Sequence, residues 1–143
     1  MTHIHRSALL MHSTQQLFAL VDDVERYAEF VPGVIAAQVH ERNAVYVLAS
    51  LQLRRAGISI DFTTHNTRTP NELLRMDLVE GPFKVFRAQW RFTALGDIGA
   101  KVEFDADVEV SGLLRAPVTR IVESAANKLM DAFRKRAAAL YAS

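Results

Sequence analysis

Between residues 84 and 110 apolar and polar side chains alternate almost without fault. Phe86, Ala88, Trp90 and Phe92 interleave with Arg87, Gln89 and Arg91, and Val102, Phe104, Ala106, Val108 and Val110 interleave with Glu103, Asp105, Asp107 and Glu109. A period of two puts one parity on each face of a strand. Segments 84–95 and 100–110 therefore predict an antiparallel hairpin with one buried face and arginines set across from carboxylates on the other. Such cross-strand pairs contribute about 0.2–1 kcal/mol each. A one-residue slip would bury them, so the register is well specified.

The period changes at residue 117. Val118, Ile121, Val122, Ala125, Leu129, Phe133, Ala137 and Leu140 follow the i, i+3, i+4, i+7 spacing of a helix over 117–141 with one buried stripe. The middle of that stripe is small, Ala125 and Ala126, with Leu129 and Met130 just below. Small residues there allow either close contact with a sheet or a hollow beneath the helix. That choice separates a stable domain from a container.

Ahead of the hairpin the chain reads as a strand over 3–10, then a helix start in which Ser13 caps and Gln16 completes a capping box. Leu17, Phe18, Leu20 and Val21 form its inner side. It should stop near Asp22, because adjacent acids are unfavourable at a helix C-terminus. Asp22 and Glu25 can then cap a second short helix over 23–30, ended by Pro32-Gly33. Further strands are predicted over 34–42, 44–53, 58–66 and 72–80, divided by Asn43, Ala56-Gly57, Pro70-Asn71 and Gly81-Pro82. Strand, two short helices, six strands and a long helix make an α+β fold: a curved seven-stranded antiparallel sheet wrapped around the C-terminal helix.

Composition narrows the picture. A chain of 143 residues, half of them hydrophobic, suits one domain over 1–143 with a single core. There is no cysteine, which removes disulfides, thiolate metal sites and cysteine nucleophiles and fits a reducing, cytoplasmic setting. No apolar run approaches the roughly 20 residues that span a bilayer. The net charge of +1 is unevenly spread. From Gly112 onward Arg115, Arg120, Lys128, Arg134, Lys135 and Arg136 face only Glu123 and Asp131. Cations late in a helix complement its dipole, a plainer reading than a nucleic-acid or membrane patch.

The element order, with Tyr27-Ala28-Glu29-Phe30-Val31-Pro32, Ala56-Gly57-Ile58-Ser59, Phe62-Thr63-Thr64-His65-Asn66, Leu78-Val79-Glu80-Gly81-Pro82-Phe83-Lys84, Trp90-Arg91-Phe92 and Val102-Glu103-Phe104, resembles the START-like (helix-grip) superfamily. Within it, the chain looks like the coenzyme Q-binding and ribosome association toxin family. Single motifs are weak, but the ordered set covers nearly the whole chain. Two departures stand out. Ala28 replaces a frequent proline, and Arg55 replaces a frequent lysine, exchanging a point donor for a planar fork.

The resemblance implies a non-catalytic protein without a cofactor, whose ligand is a hydrophobic small molecule, a polyprenyl quinone such as ubiquinone or another lipid. It implies a transient membrane-surface contact and no DNA partner. Its alternative is a toxin that binds the large ribosomal subunit and inhibits translation, and a weaker one is a polyketide cyclase-like enzyme. The inward candidates for a ligand pocket are Tyr27, Phe30, Phe62, Met76, Phe86, Trp90, Phe92, Val122, Leu129, Met130 and Phe133, with Phe83 as a lid over the mouth and Arg55 as its polar group. Taken singly, each of them reads more readily as ordinary core; for the set, the resemblance reverses that preference.

Other chemistry finds less support. His3 and His5 share a strand face, but no carboxylate is spaced to complete a metal site. His65 should point outward. Asp22-Asp23 and the acidic row Glu103 to Glu109 read as caps and solvated charges, not an acid–base pair. No nucleophile elbow, P-loop or dinucleotide fingerprint occurs.

Overall fold

A computed structural model describes residues 1–113 and 115–141. Strand β1 (Thr2–Leu10) leads into α1 (Thr14–Asp22), a short 3-10 turn (Val24–Arg26) and α2 (Tyr27–Phe30). Six strands follow: β2 (Val34–Arg42), β3 (Tyr46–Arg55), β4 (Ile58–Thr69), β5 (Leu73–Glu80), β6 (Val85–Leu95) and β7 (Gly99–Glu109). Helix α3 (Arg115–Tyr141) closes the chain. The strands form one antiparallel sheet in the order β1-β7-β6-β5-β4-β3-β2, so the first strand leaves its sequence neighbours and zips onto the last. Register shifts within β2 and between Thr63 and Thr64 of β4 mark bulges, which bend strands and curl the sheet around α3.

Local chemistry sets most boundaries. The capping box at Ser13 forms as expected: the Gln16 amide donates to Ser13 Oγ at 3.1 Å and the Ser13 amide to Gln16 Oε1 at 3.2 Å. Strand β3 begins later than its pattern suggests, because Asn43 Oδ1 accepts from the Val45 and Tyr46 amides and holds that turn together. It also runs on to Arg55. Ala56 and Gly57 both lie at positive φ, 51° and 81°, in a two-residue turn that lets Arg55 pair with Ile58.

The hairpin register is the predicted one, with Arg87 opposite Asp107 and Arg91 opposite Glu103. Three expectations fail. The helix over 23–30 is broken into the 3-10 turn and the single turn of α2, and Asp23 makes no side-chain cap. Asp22 neither caps nor faces solvent: it is buried, gripped by two arginines from distant strands. Leu140 points to solvent, while its neighbour Tyr141 turns in and donates its hydroxyl to the Gln16 carbonyl at 3.2 Å.

Candidate functional site

The concave face of the sheet and α3 do not meet everywhere. Between them lies a gap of about 100 Å³. Inner-face residues of the strands line it: Ile4 from β1, Leu51 and Leu53 from β3, Phe62 from β4, Met76 from β5, Phe86 and Trp90 from β6, Phe104 and Ala106 from β7. Tyr27, Val31 and Val34 close one end, and Val122, Ala125, Ala126 and Leu129 form the α3 wall. The alanines create the space, since they stop short of the sheet where a leucine would reach it. Almost the entire lining is carbon. Tyr27 is the one residue with a hydroxyl there, and that hydroxyl donates to the Val21 carbonyl. Burial pushes its pKa far up, so the phenol stays protonated and the gap sees an aromatic ring.

Of the side chains expected to form a pocket, Tyr27, Phe62, Met76, Phe86, Trp90, Val122 and Leu129 meet at this gap. Phe30 and Phe133 do not. They build a neighbouring aromatic cluster, edge-to-face at 5.2 Å, and Phe133 also abuts Tyr27 and Trp90. Phe92 packs edge-on against Phe18 beneath α1, with ring centres 5.5 Å apart. Met130 is half-buried against the core without reaching the gap. Phe83 is buried, and its ring rests against Phe62 and Phe86 at 5.6 and 5.1 Å, behind the lining and not across an opening. Gly81 makes that possible, because a Cβ there would lie 2.6 Å from Phe62 Cβ.

The pattern-based list overlooked Ile4, Val31, Val34, Leu51, Leu53, Phe104 and Ala106. The alternation around 104 and 106 already placed two of them on the inner face. Which inner residues border a void depends on sheet curvature.

A second recess, of about 210 Å³, opens outside the gap between the end of β3, the Pro32-Gly33 corner and α3. It shares Leu53 and Ala125 with the gap and is rimmed by Arg54, Arg55, Ser124 and Lys128. Arg55 donates to Ser124 Oγ, joining β3 to α3 across the opening. Arg55, expected as the polar group of a pocket mouth, thus rims a recess beside the gap and does not line the gap itself.

Polar groups elsewhere have evident structural work. Arg68 holds both Asp22 carboxylate oxygens at 2.9 Å, and Arg42 adds a third contact at 3.1 Å. Thr64 and Asn66, buried on the inner face of β4, bond to each other at 2.7 Å and lie apart from the gap. His65 lies on the outer face, stacked on Tyr46 with ring centres 4.5 Å apart. His3 and His5 are bound on the outer face by Asp107 and Asp105. Among the described residues no group of three side chains could hold a metal ion, and no helix is long and apolar enough to cross a membrane.

Comparison with known proteins agrees with this architecture. The family described as polyketide cyclase / dehydrase and lipid transport matches residues 10–134. The chain is 39% identical over 142 residues to the ribosome association toxin RatA of Vibrio cholerae, covering 99% of each. It is 28% identical over 120 residues to the mitochondrial coenzyme Q-binding protein COQ10 of Drosophila melanogaster, covering 81% of this chain and 50% of that one. Among solved structures, an 18 kDa protein of Caulobacter crescentus superposes with a TM-score of 0.78 at 32% identity over the full length of both chains. The ZhuI aromatase/cyclase from Streptomyces superposes with a TM-score of 0.80 at 16% identity, covering 95% of this chain and 93% of that one, a likeness of fold alone.

Proposed function

Because the chain belongs to the START-like polyketide cyclase / dehydrase and lipid transport family, we propose that it binds the apolar tail of a hydrophobic ligand between sheet and α3. A polyprenyl quinone is the first candidate, and the role is that of a non-catalytic carrier. The carbon-lined gap at the small-residue stretch of α3 is the observation that carries this reading. Its lining offers no acid–base pair and no nucleophile beside a base, which favours holding over conversion.

At about 100 Å³ the gap is smaller than the roughly 300–1,000 Å³ of drug-sized pockets, so it must widen to take a tail. Burying roughly 300 Å² of apolar ligand surface at ~25 cal/mol per Å² supplies about 7 kcal/mol. Association takes back at least ~4 kcal/mol. The balance suits a protein that releases its lipid. Native mass spectrometry of freshly purified protein tests the reading: a co-purifying quinone, or uptake of added decylubiquinone, is expected. Neither being seen would defeat it.

A second reading, association with the ribosome, is favoured by the naming of relatives at 35–40% identity as ribosome association toxins. The exposed cations of α3 add to it. Arg134 and Lys135 pair with Asp131, but Arg120 and Lys128 make no ion pair among the described residues. Phosphate-driven binding weakens steeply with salt. Sucrose gradients after overexpression should show a deficit of 70S particles, and unchanged 70S and subunit peaks would exclude this reading.

A further inference from the structure

The gap is a poor place for a charged ligand head. Its side-chain donors are the Tyr27 hydroxyl, already given to the Val21 carbonyl, and the Trp90 indole N–H. It holds no cation, and a charge there would be desolvated without a counter-charge. A ligand with an apolar tail and a charged head must therefore keep that head outside. Of the recesses that share lining residues with the gap, two hold aspartate or glutamate, whereas the one at Leu53 and Ala125 has cations and no carboxylate. Its charge is one-sided. Arg54, Arg55 and Lys128 line it, and no carboxylate does. Elsewhere, Arg42, Arg68 and Arg87 are each held by a carboxylate. Arg6, Arg75, Arg91 and Arg120 have no ionic partner among the described residues, but none of these four stands in a recess free of carboxylates beside the gap. In this recess Arg54 and Arg55 donate only to the neutral hydroxyls of Ser59 and Ser124, and Lys128 has no ionic partner among the described residues. A guanidinium carries five donors in a fork that fits carboxylate or phosphate.

We propose that this recess is a head-group site for an anionic amphiphile, with a carboxylate or phosphate head held by Arg55 and Lys128 and the tail entering past Leu53 and Ala125. The inference rests on the tail-binding reading of the gap alone, and puts an anionic head where the quinone named first would carry a neutral ring. It also gives the Arg55–Ser124 bond a role. That bond spans the opening, and an arriving anion, being the stronger acceptor, draws Arg55 off Ser124 and frees α3 to swing outward.

The test uses Trp90, the one tryptophan of the sequence and part of the gap's lining. Dodecanoate, dodecyl phosphate and dodecanol are titrated below their aggregation limits while Trp90 emission is followed. The two anions are expected to bind at least about tenfold tighter than the alcohol, the scale of one charge-assisted pair. The double variant Arg55→Gln, Lys128→Gln should erase that preference, so that anions and alcohol bind the variant with equal affinity. Both side chains are exposed, and circular dichroism checks the fold; Lys128→Glu alone should lower anion affinity further.

Equal affinity for acid and alcohol would overturn the head-group site and leave the tail-binding gap standing. Loss of all three ligands in the double variant would overturn it too, by showing a structural role. Displacement of dodecanoate by equimolar inorganic phosphate would reduce the recess to a plain anion site and refute the proposal. No Trp90 response to any of the three amphiphiles would remove both the head-group site and the tail-binding reading beneath it.

Discussion

The interior beneath α1 and the interior beneath the middle of α3 are built from the same sheet and filled differently. Under α1, Leu17, Phe18, Leu20 and Val21 bury bulky groups, and Phe18 meets Phe92 of β6 edge-on at 5.5 Å. The Arg68 guanidinium covers the Phe18 ring at 5.6 Å and locks onto Asp22, sealing that end with charge. Under α3 the helix presents Ala125 and Ala126, and the sheet answers with Phe62, Phe86 and Trp90 at a distance that leaves about 100 Å³ unfilled. Interiors are normally packed to crystal-like density. One half obeys that rule and secures the fold, and the other departs from it where a ligand would sit.

The contrast can be broken most severely in the solid half. Phe18→Ala should cost about 3–5 kcal/mol, because transfer energy and a new cavity add together in a site with no room to collapse. Equilibrium urea unfolding reads this directly. Asp22→Ala should cost about 2–3 kcal/mol, since it strands two guanidiniums that are partly shielded from water. Chemical denaturation of Asp22→Ala alongside Arg68→Ala would show whether the two share one interaction.

In the hollow half the sign should reverse. Ala125→Leu puts apolar volume into the gap and should stabilise by about 1 kcal/mol while abolishing ligand uptake. A destabilised Ala125→Leu with intact binding would mean the gap is not where the ligand goes. In the turn between β3 and β4, Ala56 lies at φ 51°, which an alanine tolerates poorly. Ala56→Asn should therefore raise stability by about 0.5 kcal/mol in thermal melts.

The smallest effect lies on the outer face. Hydrogen bonds from Arg87 and then His3 hold the Asp107 carboxyl below its usual range. A depressed folded-state pKa contributes stability above the unfolded value and loses it as pH falls through the folded one. Amide exchange along β1 should therefore quicken on acidification below the ordinary carboxylate range, and Arg87→Gln should shift the onset to higher pH.

Much of this was legible in the chain. The two-residue period of 84–110 gave strands and register, because a slip would have buried Arg87 and Asp107 together. The capping box at Ser13 and the 3.6-residue stripe of α3 were equally local signals. What stayed hidden depended on distance. Nothing near Asp22 announces that Arg42 and Arg68 will arrive from β2 and β4, so its burial could not be read from neighbours. The aromatic residues were identifiable as inward-facing. Whether Phe62 borders a void while Phe92 is packed solid follows from where the bulged sheet bends away from α3, and no periodicity encodes that. Small residues at 125 and 126 were the one sequence-level trace of the gap.

Decylubiquinone titrated into the protein and into Ala125→Leu, followed at Trp90, addresses the central claim most directly. Saturable quenching in the natural sequence, absent from a folded Ala125→Leu variant, is the expected result. Identical quenching in both proteins, or none in either, would contradict a ligand seated between sheet and helix.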